Sequence, residues 1–242
     1  MRPIKIGVIK KILCFKGANT RTIDNSPSLI WPSLRIISHK HKIIYFAIAK
    51  TGSSSVKAAL SELLGVAATN LPRVKPREIK NFFHYFKFAF VRNPWDRILS
   101  CYLDKIKQDK NFNDDYFKNG VAKHFIRFQR FKAGMKFNDF VKVVSRIPDE
   151  DADAHFMSQY RRVYNKKSEL LVDYLGRFEN LENDFMKVMK KCGIENISLP
   201  HIHSSNRKKH YSEYYDEKTK KMIAKRYKKD IKLLNYKFEK KT

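Results

Sequence analysis

Residues 43–65, IIYFAIAKTGSSSVKAALSELLG, decide the fold because they pass from a strand pattern to a helix pattern within a few positions. Residues 43–49 form a short apolar and aromatic run, which is typical of a buried β-strand. Lys50 and the Gly-Ser turn of residues 51–55 end this run. The apolar residues that follow have the spacing of one face of a helix: Val56, Ala59, Leu60, Leu63 and Leu64. The stretch therefore predicts a strand, a tight turn and a helix that ends near Gly65.

The same unit recurs at residues 85–107. Its strand is YFKFAFV, residues 85–91, and Asn93 and Pro94 are a good N-cap and a good first residue for the following helix. Residues 170–178 predict a third strand. Repeated strand-to-helix units favour a parallel sheet with helices packed on it.

The remaining segments give less specific patterns. Residues 1–42 look basic and irregular, and residues 110–170 look mostly helical without an obvious strand. Helices are predicted over residues 179–193 and 216–234, with a loop over residues 199–215.

Length and composition fit a single domain spanning residues 1–242. The net charge of +27 favours a polyanionic partner, although lysines placed wherever solvent tolerates them explain many of these charges equally well. The three cysteines lack metal-ligand spacing, so we expect reduced thiols and a reducing compartment. No segment approaches the roughly 20 apolar residues of a membrane span. These features together predict a cytoplasmic protein.

The turn KTGSSS, residues 50–55, has the composition of an anion cradle. Backbone amides at a strand-to-helix turn point outward together, and the helix start adds unpaired N–H groups and a partial positive charge. The lysine precedes the glycine, so the turn is not the nucleotide-triphosphate loop, and a single glycine does not make a dinucleotide-binding fingerprint. An ordinary N-capped helix is the competing interpretation.

A second candidate site begins at Arg92, where the next strand ends, and includes Ser100 two helical turns later. A guanidinium and a hydroxyl at one strand-helix junction can hold a phosphate. Alternatively, Arg92 pairs with Asp96 as a structural cap.

Together the two segments resemble the sulfotransferases that use 3′-phosphoadenosine 5′-phosphosulfate (PAPS), especially the branch of carbohydrate sulfotransferases and their small bacterial relatives. The string FVRNPWDRILSCY, residues 90–102, carries much of this likeness, which extends over residues 43–238. The resemblance implies an α/β protein with a P-loop-like three-layer fold, in which helices flank a central parallel sheet.

The resemblance also assigns residues to the donor. The 5′-phosphosulfate is expected at Lys50, Thr51, Gly52, Ser53, Ser54 and Ser55. The 3′-phosphate is expected at Arg92 and Ser100. A later loop is expected to close over the nucleotide with Ser204, Ser205, Arg207 and Lys209.

The chemistry implied is in-line sulfuryl transfer to an acceptor hydroxyl, without a metal. Lys50 is the expected catalytic cation at the oxygen that bridges sulfur and phosphorus. The general base is open between His155, His84 and Glu62, with His155 ranked first and His84 equally compatible with a packed core position.

A glycan is the expected acceptor, and the basic surface favours an acidic one, such as a uronic-acid or already sulfated sugar. Two alternatives stay open. The chain could be a nucleic-acid or polyanion binder without catalysis, although it contains no nucleic-acid-binding motif. It could also be a kinase-like phosphoryl transferase, although its lysine does not stand where the nucleotide-triphosphate loop has it.

Overall fold

The computed structural model describes residues 34–202, 207 and 209–240. Its strands are β1 (Arg35–Ser38), β2 (Ile43–Phe46), β3 (Phe86–Val91), β4 (Phe117–Lys118), β5 (Val121–Ala122) and β6 (Tyr174–Arg177). Its α-helices are α1 (Ser53–Leu64), α2 (Pro94–Lys105), α3 (Phe137–Arg146), α4 (Tyr160–Val163), α5 (Leu181–Lys191), α6 (Glu217–Arg226) and α7 (Lys228–Leu233). None of the described helices is long and apolar enough to cross a bilayer.

The central sheet has the strand order β1-β2-β3-β6. Strands β2, β3 and β6 are parallel, with Phe46 opposite Ala89 and Val91 opposite Arg177, whereas β1 is antiparallel to β2. The carboxyl ends of the three parallel strands therefore lie at one edge of the sheet, which we call the carboxyl edge. The segments that leave the three strands start at this edge, and they contain Lys50, Arg92 and Phe178.

The sheet buries both faces, as the continuous apolar composition of its strands requires. On one face, Tyr45, Phe88 and Phe90 pack in a core with residues of α1 and α5. On the other face, alternate residues such as Ile44 and Ala89 pack in a core with residues of α4 and of the chain after α7. This alternation follows from the two-residue period of a strand, and it produces three layers.

Helices α2, α3 and α6 enclose a further apolar core beside the sheet. The α2 residues Ile98 and Leu99 are fully buried there, together with Phe140 of α3 and Ile223 of α6. This packing fixes α2, and α2 carries several residues of the site described below.

The observed architecture confirms a mixed α/β fold with a parallel-containing sheet flanked by helices, and it confirms both predicted strand-turn-helix units. One boundary differs. Residues 35–38 form a strand where an irregular segment was predicted, so the sheet is mixed and not purely parallel. The predictions for residues 1–33 lie outside the described residues.

The prediction of a mostly helical segment over residues 110–170 is wrong. Much of this segment is irregular, and it contains the hairpin β4–β5. Asn119 and Gly120 form the hairpin turn with φ angles of 50° and 71°. An Asn-Gly pair favours such a turn because both positions need positive φ. The mixture of Lys and Phe around it obscured that signal.

The C-terminal helix predicted over residues 216–234 is present but interrupted at Tyr227, which separates α6 from α7. Tyr227 is 1% exposed, and its hydroxyl donates a hydrogen bond to the carbonyl oxygen of Phe156. The interruption therefore fixes the C-terminal segment against the loop that contains His155.

Candidate active site at the carboxyl edge

The turn between β2 and α1 has a backbone that only certain residues accept. Gly52 has φ 77°, and a Cβ atom there would lie 2.3 Å from Cδ2 of Leu181. Lys50 also has a positive φ, of 69°, which is uncommon for a residue with a side chain. The hydroxyl of the buried Thr51 donates to the carbonyl oxygen of Ile48 at 2.9 Å and stabilises the turn. The chain thus accepts local strain to form this turn.

The start of α1 is suited to an external anion. No side chain caps its N-terminus, and its first turn contains no acidic residue. Ser53 and Ser54 are partly exposed, whereas Ser55 is buried and its Oγ accepts a hydrogen bond from the Ile202 amide at 3.2 Å. By contrast, the N-cap side chain of α2, Asn93, already accepts from the Trp95 amide at 3.2 Å. The α1 start therefore keeps its unpaired N–H groups and partial positive charge for a ligand.

Arg92 connects the two predicted sites. Its Nη1 donates to the carbonyl oxygen of Lys50 at 3.2 Å, and its guanidinium carbon lies 3.9 Å from the ring centroid of Phe178. Its Nε donates to Asp96 at 2.8 Å, so the alternative of a structural pair with Asp96 is also present in the structure. Arg207 binds the other carboxylate oxygen of Asp96. The Lys50 turn, Arg92 and Arg207 thus form one site.

One face of α2 supports this site. Asp96, Ser100 and Asp104 are four residues apart, a spacing that places them on the same face of a helix. Asp96 binds Arg92, and Asp104 binds the ammonium of Lys50 at 3.1 Å. The partly exposed Ser100 therefore lies between the partners of the two cations.

Asp104 holds a second lysine as well. It accepts from Lys105 at 2.7 Å, and Lys105 also contacts the hydroxyl of Tyr116. Burial raises the pKa of Asp104, but the two ammonium groups outweigh burial and hold it well below its usual range. Burial lowers the pKa of Lys50, and Asp104 opposes this effect. Asp104 therefore helps to keep Lys50 charged.

His155 forms a dyad with Asp153. The Nδ1 of His155 lies 2.6 Å from Oδ1 of the fully buried Asp153, and the His155 amide donates to the same oxygen at 2.9 Å. Burial lowers the pKa of His155, only partly offset by Asp153, so the ring is neutral near pH 7. A carboxylate accepts only, so Nδ1 carries the proton and Nε2 has the free lone pair.

Arg97 ties the loop of His155 to the Lys50 turn. It is 1% exposed and donates to three backbone carbonyl oxygens: Ala49 at 2.9 Å, Met157 at 2.8 Å and Ala154 at 3.0 Å. Ala49 precedes Lys50, and the other two residues flank His155. One guanidinium therefore fixes the backbones on both sides of the site.

Gln159 and Asp230 fix the strand end that presents Arg92. The Gln159 amide group receives a hydrogen bond from the Arg92 backbone N–H at 2.9 Å and donates to the Arg92 carbonyl oxygen at 2.8 Å. Asp230 in turn accepts from the backbone N–H of Gln159 at 2.9 Å. Burial raises the pKa of Asp230 to about 6.

His124 is a further neighbour of the dyad. Its ring centroid lies 4.9 Å from that of His155, and its Nε2 lies 3.5 Å from the hydroxyl of Tyr116. Burial lowers the pKa of His124 to about 4.

Several predicted residues are not brought to this site. His84 is exposed and precedes β3, so it lies at the opposite edge from Arg92, separated by a strand of six residues or about 20 Å. Glu62 is exposed in the last turn of α1. Lys209 is exposed, and Ser204 and Ser205 lie outside the described residues.

Sequence reasoning missed four side chains that organise the site: Arg97, Asp104, Asp153 and Phe178. Asp104 had a readable signal, because it follows Asp96 by eight residues and so shares its helix face. The partners of Arg97 and Phe178 are distant in sequence and gave no local signal.

Comparison with known proteins identifies the family that the chain resembles. A model of the sulfotransferase family matches residues 35–237. The chain is 24% identical to carbohydrate sulfotransferase 10 of Xenopus laevis over 237 residues and 25% identical to that of Homo sapiens over 234 residues. Each match covers 83% of this chain and 66% of the relative, slightly less than two thirds of its length.

Carbohydrate sulfotransferase 14 of Danio rerio is 24% identical over 185 residues, which cover 68% of this chain and 50% of that protein. No solved structure gives a significant match.

Proposed function

Because the chain belongs to the sulfotransferase family, we propose that it transfers the sulfuryl group of PAPS to a hydroxyl group of a carbohydrate. The observation that carries this proposal is the 3.2 Å contact between Nη1 of Arg92 and the carbonyl oxygen of Lys50. This contact joins the two separate motifs at the carboxyl edge, which supports the proposal that they hold opposite ends of one nucleotide.

The residues at the carboxyl edge fit this donor. The uncapped start of α1, with Ser53 and Ser54 partly exposed, suits the 5′-phosphosulfate. Arg92 and Ser100 suit the 3′-phosphate, and Arg207 suits closure over it, because a guanidinium can hold phosphate oxygens in a fork. Asp96 holds both guanidinium groups in place for this role. A P-loop-like arrangement of the donor site is part of the proposal.

PAPS supplies the sulfuryl group, and the protein orients it and compensates developing charge. Lys50 is the proposed group that stabilises negative charge on the oxygen between sulfur and phosphorus. Asp104 holds this ammonium at 3.1 Å, so it is both positioned and charged before the reaction. No protein nucleophile or metal is required in this scheme.

His155 is the proposed general base. Asp153 accepts from its Nδ1, which leaves Nε2 to take the proton of the acceptor hydroxyl. Arg97 fixes the His155 loop beside the residue that precedes Lys50. The base therefore lies on the side of the site where the lysine acts.

The proposed acceptor is a glycan, and more specifically an acidic one. The names of the relatives support a carbohydrate. The net charge of +27 favours an acceptor that carries carboxylate or sulfate groups.

Thermal shift separates this proposal from the two alternatives. Adenosine 3′,5′-bisphosphate without magnesium should raise the melting temperature, because a ligand that binds only the folded state stabilises it. ATP with magnesium should give a smaller shift. A larger shift with ATP and magnesium would indicate a kinase, and no shift with either nucleotide would leave a polyanion binder.

A turnover assay then tests whether the acceptor is an acidic glycan. Transfer of label from [35S]PAPS is measured with unsulfated chondroitin, with heparosan and with neutral lactosamine oligosaccharides. Labelling of the two acidic glycans above the neutral one supports an acidic acceptor, and the reverse order contradicts it.

A further inference from the structure

Three potential metal ligands lie together beside the site. Among the described residues, His124, Asp153 and His155 each offer one ligand atom, and these atoms all lie within 4.8 Å of one another. Two imidazoles and a carboxylate are a ligand set that suits zinc and similar divalent metals.

One atom of this cluster calls for a partner. Oδ1 of Asp153 binds His155, but Oδ2 is buried and has no hydrogen-bond partner among the described residues. A buried carboxylate oxygen without a partner costs free energy and is rare in folded proteins. Because Asp153 lies in a cluster with two imidazoles, a cation bound there would give this oxygen a partner.

The charges around the cluster permit a cation. Lys50 and Lys105 are the two lysines whose charge acts on the imidazole of His155, and both are paired with Asp104. Asp153 adds a negative charge that no lysine or arginine in the described residues neutralises through an ion pair. Access is also available, because the side chains of His124 and His155 are both partly exposed.

The spacing requires only a modest contraction. Nitrogen and oxygen ligands at about 2.1 Å from a tetrahedral zinc ion are about 3.4 Å apart. Ligand atoms now within 4.8 Å would have to approach by about 1.4 Å at most, which rotation of partly exposed imidazoles can provide.

We propose that His124, Asp153 and His155 bind a divalent zinc-type metal ion that inhibits the enzyme. A metal bound through Nδ1 of His155 replaces its hydrogen bond to Asp153 and leaves the single imidazole proton on Nε2, whereas a metal bound through Nε2 occupies the free lone pair directly. In both cases Nε2 cannot take the acceptor proton, so proton transfer and metal binding exclude each other. The inhibition rests on the function proposed above, whereas the binding site does not.

Zinc chloride is titrated into the metal-stripped full chain by calorimetry, with cobalt(II) absorption as a second measure of tetrahedral ligation. Wild type should bind one ion at this site. His124→Asn and Asp153→Asn should each weaken binding at least tenfold, and His84→Asn, which removes an exposed imidazole at the opposite edge, should not.

Equal affinity of wild type and both cluster variants, or no binding by any of them, would overturn the proposal. Melting temperatures without metal show whether each variant folds. If only one of the two cluster variants folds, its zinc affinity is compared with that of wild type. Adenosine 3′,5′-bisphosphate binding, measured on the same samples, tests the donor site separately. Where turnover is observed, zinc should inhibit wild type at concentrations at least tenfold below those that inhibit His124→Asn.

Discussion

The ammonium of Lys50 and the carboxylate of Asp104 form an ion pair of 3.1 Å, which joins the turn before α1 to the last turn of α2. Asp104 also binds Lys105 at 2.7 Å. The residue proposed to act on the donor is therefore held by a carboxylate that is already neutralised by a second lysine. This arrangement lets Lys50 leave Asp104 for a ligand without leaving the carboxylate unpaired.

Replacing Lys50 with Ala should therefore affect the reaction more than the fold. We expect turnover to fall about 100-fold or more, as for loss of a group that stabilises transition-state charge. The affinity for adenosine 3′,5′-bisphosphate should change modestly, because this product lacks the sulfuryl group. Turnover and calorimetric affinity are measured together, with Lys187→Ala, a 66% exposed lysine side chain of α5, as the control. Parallel losses in both quantities would assign Lys50 to binding alone.

Asp104→Asn should shift the pH dependence of the reaction. Burial lowers the pKa of Lys50 and Asp104 raises it, so removal of the carboxylate should lower this pKa further. Because the protonated lysine is the active form, the alkaline limb of kcat/KM should move to lower pH. The exposed Asp115→Asn serves as the control. An alkaline limb at the same pH in all three proteins would show that Lys50 does not limit the reaction there.

Arg92→Lys should reduce selectivity for the 3′-phosphate. A charged hydrogen bond contributes about 1.5–3 kcal/mol, so we expect adenosine 3′,5′-bisphosphate affinity to fall about 10- to 100-fold. Affinity for adenosine 5′-phosphate should change little. Arg177→Lys is a matched control, since Arg177 also ends a parallel strand but donates to the carbonyl oxygen of Leu234. Unchanged discrimination between the two nucleotides would remove Arg92 from the 3′-phosphate site.

Gly52→Ala and Gly65→Ala form a matched pair at the two ends of α1. Both positions have positive φ, which costs an alanine about 1–2 kcal/mol. Only at Gly52 would the added Cβ meet Leu181, at 2.3 Å, whereas nothing lies within 4 Å at Gly65. Urea unfolding should therefore show a clearly larger loss for Gly52→Ala. Equal losses would mean that Leu181 moves aside without cost.

The sequence predicted those parts of the fold and of the site that short local patterns encode. The run from residue 43 to Gly65 specified a strand, a turn and a helix because hydrophobic period, glycine and helix start coincide there. The pairing of Arg92 with Lys50 followed from two such units in a parallel sheet. By contrast, the carbonyl partners of Arg97 lie 48 to 60 residues away, and no local pattern marks them. The dyad of Asp153 and His155 was local, but its role depends on this distant anchor.

Arg97 is consequently the residue whose loss should affect stability and catalysis together. Arg97→Met would leave the carbonyl oxygens of Ala49, Ala154 and Met157 without this partner. Each buried unpaired group costs about 1–3 kcal/mol, so we expect the free energy of unfolding to fall by about 3 kcal/mol or more. Arg97→Lys keeps the charge but cannot reach three carbonyls at once, so turnover should fall more than bisphosphoadenosine affinity. Urea unfolding and turnover are compared with Arg161→Met, whose side chain is 40% exposed. If Arg97→Lys matched wild type in turnover, a fixed distance between the Lys50 turn and the His155 loop would not be needed for the reaction.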